Sequence, residues 1–395
     1  MLALLLFALL PGFDLASHER PRLVAAADAA LQAEPRTIVA ARNPRSAGGP
    51  QDFSSEGDYW WPDPNNPNGP YVQRDGLTNP DNFVAHRQLL LAFARHVGHL
   101  TAAYRATGDE RYAVGAVRHL RAWFVTPTTR MHPHLRYAQA IKGLNTGRSI
   151  GVIDTVHLAE VALAVEALRG SKSLPAADDA AITGWFRDYL HWLTTDRFGL
   201  EESATRNNHA TCAWLQRACF ARLVGDATEL AACRREFKEV LLPHQMAADG
   251  SFPEEVRRTK PYGYSIFNLD VMCALAVVCS TSDENLMTWS LPDGRSLVRG
   301  VTWLAPFLAD KQLWLRTVRR PAGPKDPPGT PAKFVAPDVM YWDAWPIRQP
   351  ALLFGAVAAG RRDWLALWQS LPADPTIDEV IRNYPIREPL LWLPR

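Results

Sequence analysis

Excess charge of one sign is missing from this chain. Its 43 Lys and Arg against 41 Asp and Glu leave a formal net charge of +2 over 395 residues. Nothing in that balance calls for nucleic acid or an acidic membrane surface. Cysteine is scarce. Cys212, Cys219, Cys233, Cys273 and Cys279 include no Cys-x-x-Cys pair and no Cys/His cluster with zinc spacing. An odd count leaves at least one thiol unpaired in a monomer, and small buried hydrophobes are the simplest reading. Long hydrophobic runs are also missing. Leu2 to Leu10 is apolar but too short to span a bilayer. No basic stretch precedes it and no clear cleavage site follows, so it reads as a shortened signal peptide or as a first core helix. No exact repeat and no clear linker appears. The chain is therefore read as one domain over 1–395, with 1–50 an N-terminal helical segment and 332–395 packed on the main body.

What is present is helical patterning and tryptophan. His86 to Ala106 carries apolar residues at Leu89, Leu90, Phe93, Ala94, Val97, Leu100 and Tyr104, close to a 3.6-residue period. Arg111 to Phe124 repeats the pattern. Further blocks fall near 151–169, 176–195, 208–224, 227–246, 265–280, 295–310 and 350–367. Brief turns between helices of this length predict antiparallel hairpins. Pro62 to Pro80 holds five prolines and several Asn, which excludes a long helix or central strand. Gly323 to Pro331 reads as a second loop. Most of the 14 tryptophans are expected in a helical core. Tyr59-Trp60-Trp61, in the proline-rich loop, reads better as a surface for stacking sugars.

Two segments carry chemistry. The first is Arg206-Asn207-Asn208-His209-Ala210-Thr211. The second runs from Asp249-Gly250-Ser251-Phe252-Pro253-Glu254-Glu255 through Arg257-Arg258-Thr259 to Tyr262-Gly263-Tyr264. They supply amide, imidazole, guanidinium and phenol, with no persuasive carboxylate pair and no obvious Ser or Cys nucleophile. That set suits β-elimination beside a sugar carboxylate. Asn208 and Arg258 would hold the carboxylate and the enolate-like charge that develops on it. His209 would take the C5 proton and Tyr264 would protonate the leaving O4. An Arg that lowered the Tyr264 pKa would also let it act as a base. Simpler readings exist for each group. Asn207 and Asn208 suit a helix cap, the two arginines suit a solvated pair with Glu254 and Glu255, and Tyr264 suits the core. Arg148 reads about equally as a structural ion pair or a substrate contact. His132-x-His134 has metal-like spacing but no third ligand in sequence, so no metal and no cofactor is expected.

These segments resemble the alginate lyase superfamily of polysaccharide lyases. Asp58-Tyr59-Trp60-Trp61-Pro62-Asp63-Pro64, with Gly69-Pro70-Tyr71 and Arg74-Asp75-Gly76, is similar to its N-terminal signature. Tyr137-Ala138-Gln139-Ala140, Gly147-Arg148 and Ile150-Gly151-Val152-Ile153-Asp154-Thr155 are similar to a second, and Asn268-Leu269-Asp270 also fits. The likeness covers roughly residues 50–280 and lies nearest the Trp-Trp-Pro-Asp-Pro branch acting on alginate or glucuronan. The resemblance implies an all-α fold, an α/α toroid or incomplete α/α barrel. It implies a lyase for a 1,4-linked polyuronate, alginate first and glucuronan second, with Asn208, His209, Arg258 and Tyr264 catalytic. Tyr59, Trp60, Trp61, Arg74, Tyr137, Gln139, Arg148, Asn207, Arg257 and Tyr262 are the expected substrate contacts. The family's Arg-to-Tyr spacing is one residue longer than Arg258 to Tyr264. Spacing therefore matches Arg257, while the following Thr259 matches Arg258, which is preferred. The expected partner is an acidic polysaccharide, with no nucleic acid and no membrane, met by a monomer in the periplasm or outside the cell. Two rivals remain. One is a glycoside hydrolase using two of Asp63, Asp75, Asp154, Asp249, Glu254 and Glu255. The other is a non-catalytic carbohydrate-binding protein.

Overall fold

A computed structural model describes residues 10–322, 327 and 329–393. Apart from Leu10, the Leu2–Leu10 run lies outside the described residues, as does most of 323–328. Helix composition sorts the helices into an inner and an outer layer. The segments Leu158–Leu168, Asn208–Val224, Pro261–Cys279 and Pro350–Ala359 have no polar stripe and are buried along nearly their whole length. A helix that is apolar all round must be covered on every side. Together with Ala85–Thr107 they follow one another along the inner wall. Glu110–Leu120, Ala176–Thr195, Ala227–Glu236, Leu297–Ala309 and Arg362–Ser370 cover them from outside. The result is an incomplete α/α toroid. Pro261–Cys279 is long and apolar enough to cross a bilayer by composition, yet it lies inside this core.

Local signals set the turns between layers. Gly108 and Gly225 adopt φ of +74° and +77°, ending the inner helices Ala85–Thr107 and Asn208–Val224. Asp109 and Asp226 follow at once, and their carboxylates accept from the amides of Arg111 and Glu229, each at 2.9 Å. A Gly-Asp pair thus stops one helix and caps the next. The expected block 227–246 is a helix to Glu236, a π-turn over Phe237–Leu241 and a last turn Leu242–Gln245. The expected 350–367 is two helices parted at Gly360, whose φ is +67°.

Small strands lie at the rim. Ser54–Glu56 runs parallel to Tyr137–Ala140. Within the proline-rich loop, Trp60–Trp61 pairs with Val72–Gln73 as a short antiparallel hairpin, Trp60 opposite Gln73 and Trp61 opposite Val72. The C-terminal segment closes the ring. Buried Glu160 accepts from the amides of Arg387 and Glu388 and from the Trp392 indole, at 2.7, 2.8 and 2.8 Å. Glu388 in turn binds Arg22 of the first helix and His99. All five cysteines are free and buried.

Candidate active site

One cleft of about 410 Å³ opens on the inner wall of the toroid. Three parts of the chain that sequence reading had linked meet there. The Asn208–Val224 helix brings Asn208 and His209 on its first turn. The chain before and inside Pro261–Cys279 brings Arg258 and Tyr264. The rim brings Tyr59, Trp60, Gln139 and Arg148. Asn207, Gln73, Asp58, Asp75, Arg382 and Asn383 also line it.

The Tyr264 hydroxyl is the best-defined group. It stands 2.8 Å from the Tyr59 hydroxyl and accepts from Arg258 Nη2 at 3.2 Å, with the guanidinium 4.2 Å from the ring centre. Burial, with Tyr264 and Glu379 adding to it, holds the Tyr59 phenol well above its ordinary pKa, and either hydroxyl can donate in that pair. With Tyr59 as the donor, both lone pairs of the Tyr264 oxygen are occupied and its own O–H is free for the cleft. Burial pushes the Tyr264 pKa up, and Arg258 and Tyr59 only partly oppose it. The expected lowering by a neighbouring Arg is therefore corrected. Arg258 does act in that direction, but burial outweighs it and Tyr264 rests as a phenol.

His209 is oriented from behind. Glu202, wholly buried, places Oε1 2.6 Å from His209 Nδ1. A carboxylate there selects the Nδ1–H tautomer and leaves Nε2 as a lone-pair acceptor toward the cleft. Glu202→Gln is expected to lower kcat by ~10–10²-fold with KM little changed, because general-base efficiency depends on that partner. Steady-state kinetics check this; an unchanged kcat would make Glu202 a packing residue.

Asn208 and Asn207 divide the two readings made for them. Asn207 caps the helix, its side chain accepting from the His209 amide at 3.2 Å. Asn208 donates its backbone and side-chain N–H groups to Glu255, both at 2.7 Å. The helix N-terminus thus already faces a carboxylate from its own chain. Asn208 Nδ2 carries a second N–H, and its Oδ1 is buried without a partner.

The cations fall into two kinds. Arg258 is bound to Asp75 at 2.9 Å, and Thr259 supports that carboxylate. Burial would lower Arg258, but Tyr264 and Asp75 outweigh it and hold it more firmly charged. Arg382 is shared among Asp58, Asp154 and Glu379. Burial would raise the Asp58 carboxyl, but Arg382 and Arg87 hold it at about 2. Arg148 differs. Its Nε and Nη2 donate to Gln139 O and Oε1, both at 2.9 Å, and it stacks near Trp60. Among the described residues no carboxylate comes within ion-pair distance of it. Burial pushes its pKa below the ordinary value, with Asp154, Glu202 and Asp58 only partly offsetting this. A desolvated cation without a counter-ion suits an incoming carboxylate. Gln139 holds a φ of +50°, uncommon for a non-glycine residue, under bonds to Ser55 Oγ, Asp154 and Arg148.

Five expected contacts sit elsewhere. The hairpin pleat turns Trp60 and Gln73 to the cleft and their neighbours Trp61 and Arg74 away. Arg74 stacks on Trp61 at 5.5 Å, and the Trp61 indole donates to Leu77 O. Tyr137 packs beside Gly48 and His134. Arg257 pairs with Glu254 and donates to Ala322 O. Tyr262 is fully buried against Trp314 and Trp342, its hydroxyl donating to Phe307 O. Between the two arginines, geometry selects Arg258. Sequence reading missed Gln73, Glu202, Arg382 and Asn383; for the last three no local motif pointed to the cleft. His132-x-His134 also gains a third partner that sequence did not show, Asp52.

A helical toroid whose cleft carries amide, imidazole, guanidinium and phenol belongs to the class of polysaccharide lyases. The family profile described as Alginate lyase matches residues 37–314, and the chain belongs to the alginate lyase family. An alginate lyase from Bacteroides ovatus is similar over 95% of this chain and 93% of its own, at 27% identity and a TM-score of 0.76. Alginate lyase A1-III from Sphingomonas species A1 shares the fold over 86% of each chain, at 14% identity and a TM-score of 0.52. Comparison with curated proteins found no match.

Proposed function

We propose that this polysaccharide lyase cleaves alginate by β-elimination, with His209 Nε2 taking the C5 proton and Tyr264 giving its proton to the leaving O4. The observation that carries the reading is the Tyr264 hydroxyl on the cleft wall, 3.2 Å from Arg258 Nη2 and 2.8 Å from the Tyr59 hydroxyl. The same two donors stabilise the phenolate left after transfer. Arg148 and the second N–H of Asn208 hold the C6 carboxylate, and Trp60 and Tyr59 flank the sugar. Arg148 takes the carboxylate in place of Arg258, because Asp75 already neutralises Arg258. The hydrolase alternative loses support. Asp58 and Asp75 are the carboxylates on the cleft wall, and both are locked to arginines.

Stereochemistry separates the substrates. In guluronate the C5 proton and O4 lie on opposite faces, so base and acid must be different groups. In mannuronate they lie on one side, and glucuronate, which differs from mannuronate only at C2, shares that relation. There a single group can act twice: Tyr264 would take the C5 proton in its phenolate form, which Arg258 favours against burial, and return that proton to O4. The test is growth of the unsaturated product's ultraviolet absorbance on guluronate blocks, mannuronate blocks and glucuronan. His209→Ala is expected to lose guluronate cleavage by ~10²–10⁴-fold and mannuronate cleavage less. Equal losses would remove this division of labour. No absorbance gain with any polyuronate in the unaltered protein would overturn the function itself. Action on an external polymer also fits a place in the periplasm or outside the cell.

A further inference from the structure

A second cluster lies off the cleft, where the chain enters the two parallel strands. Asp52 precedes Ser54–Glu56, and His132 and His134 precede Tyr137–Ala140. Both imidazoles face the same carboxylate oxygen. His132 Nδ1 is 2.7 Å and His134 Nε2 is 3.3 Å from Asp52 Oδ1. All three donor atoms lie within 4.8 Å of one another. Neighbouring ligands in a tetrahedral site with bonds of about 2.0–2.2 Å stand about 3.3–3.6 Å apart, so a shift of about 1 Å in the side chains would seat an ion.

The surroundings hold these groups in place. Asp52 Oδ2 accepts from the Gly49 amide at 2.7 Å. The His134 amide donates to His132 O and the His132 amide to Gln51 O, each at 2.9 Å. His134 Nδ1 is buried without a hydrogen-bond partner, so the ring's one polar contact is on Asp52. The His132 side chain is 45% exposed, which leaves the cluster open to an ion from solvent. None of the three residues lines the cleft.

We propose that Asp52, His132 and His134 form a binding site for a divalent first-row transition cation such as Zn²⁺, Co²⁺ or Ni²⁺. Two neutral imidazoles and one carboxylate carry a single negative charge and suit these borderline ions rather than Ca²⁺ or Mg²⁺. Water completes the coordination on the open side. The bound ion ties the 49–52 turn to the 131–134 segment, and so braces the strand pair that carries Ser55 and Gln139 to the rim of the cleft.

The test uses full-length, chelator-treated protein. Titration with Zn²⁺ followed by calorimetry, and with Co²⁺ followed by visible absorption, is expected to saturate at one equivalent and to raise Tm by several degrees. His132→Ala, a change at a half-exposed side chain, and Asp52→Asn are each expected to weaken binding at least ~10-fold and to abolish the Tm rise. Lyase activity of the metal-free protein should be the same in His132→Ala as in the unaltered chain. Absence of one-equivalent binding would overturn the proposal. So would an unchanged affinity and Tm rise in both variants, which would place the ion at other surface histidines.

Discussion

Tyr264→Phe is expected to cut kcat by at least ~10³-fold on every polyuronate, within the range a positioned general acid contributes. The substitution removes one oxygen and keeps the ring. Arg258 retains its ion pair with Asp75, and Tyr59 loses only one hydrogen-bond partner. The fold should therefore survive, and circular dichroism melting should show a Tm close to that of the unaltered protein. The loss arises because O4 must then leave as an alkoxide. No neighbouring phenol can replace Tyr264. Tyr59 is held well above its ordinary pKa and is the poorer acid, and Tyr262 is sealed in the core. Initial rates from the absorbance of the unsaturated product decide the matter. Residual turnover above roughly a tenth of the original, far outside the general-acid range, would mean that another group protonates O4.

Arg148→Ala is the second large effect, an expected fall in kcat of ~10²–10³-fold. Charge on the C6 carboxylate grows as the C5 proton leaves. A cation aimed at it therefore binds the transition state more strongly than the ground state. Arg148 meets that condition because no carboxylate among the described residues lies within ion-pair distance of it, unlike Arg258 and Arg382. Arg148→Lys keeps the charge but loses the two-pronged contact with Gln139, so it should recover only part of the rate. Arg257→Ala serves as the comparison, since Arg257 points to Glu254 and Ala322, and its rates should stay within about twofold, as for a surface pair. Equal rates in Arg148→Ala and the unaltered protein would return the carboxylate to Arg258.

Much of this site was legible before any coordinates. Asn208, His209, Arg258 and Tyr264 come together on one cleft, as their spacing and the family resemblance implied. The reading was less sharp for the rim. The sequence suggests one aromatic surface over Tyr59-Trp60-Trp61, but a two-residue strand faces neighbours oppositely, so Trp60 enters the cleft and Trp61 does not. Tyr262, two residues before Tyr264, is expected from sequence to touch substrate while Tyr264 is the catalytic phenol. On a helix that offset is about 200°, which sends one phenol into the core and the other to the cleft.

The sequence by itself determined most of the helical segments and the four groups proposed for proton transfer and charge stabilisation. Those features depend on residues within a turn or two of each other: an apolar period and a motif of fixed spacing. Only the tertiary structure decided which charges stay free. Asn208 meets Glu255 across 47 positions, Arg258 meets Asp75 across 183, and Arg382 reaches Asp58 from the far end of the chain. Such pairings follow from how the toroid closes. A buried charge is available to substrate only if the fold brings it no partner, and no local pattern records that.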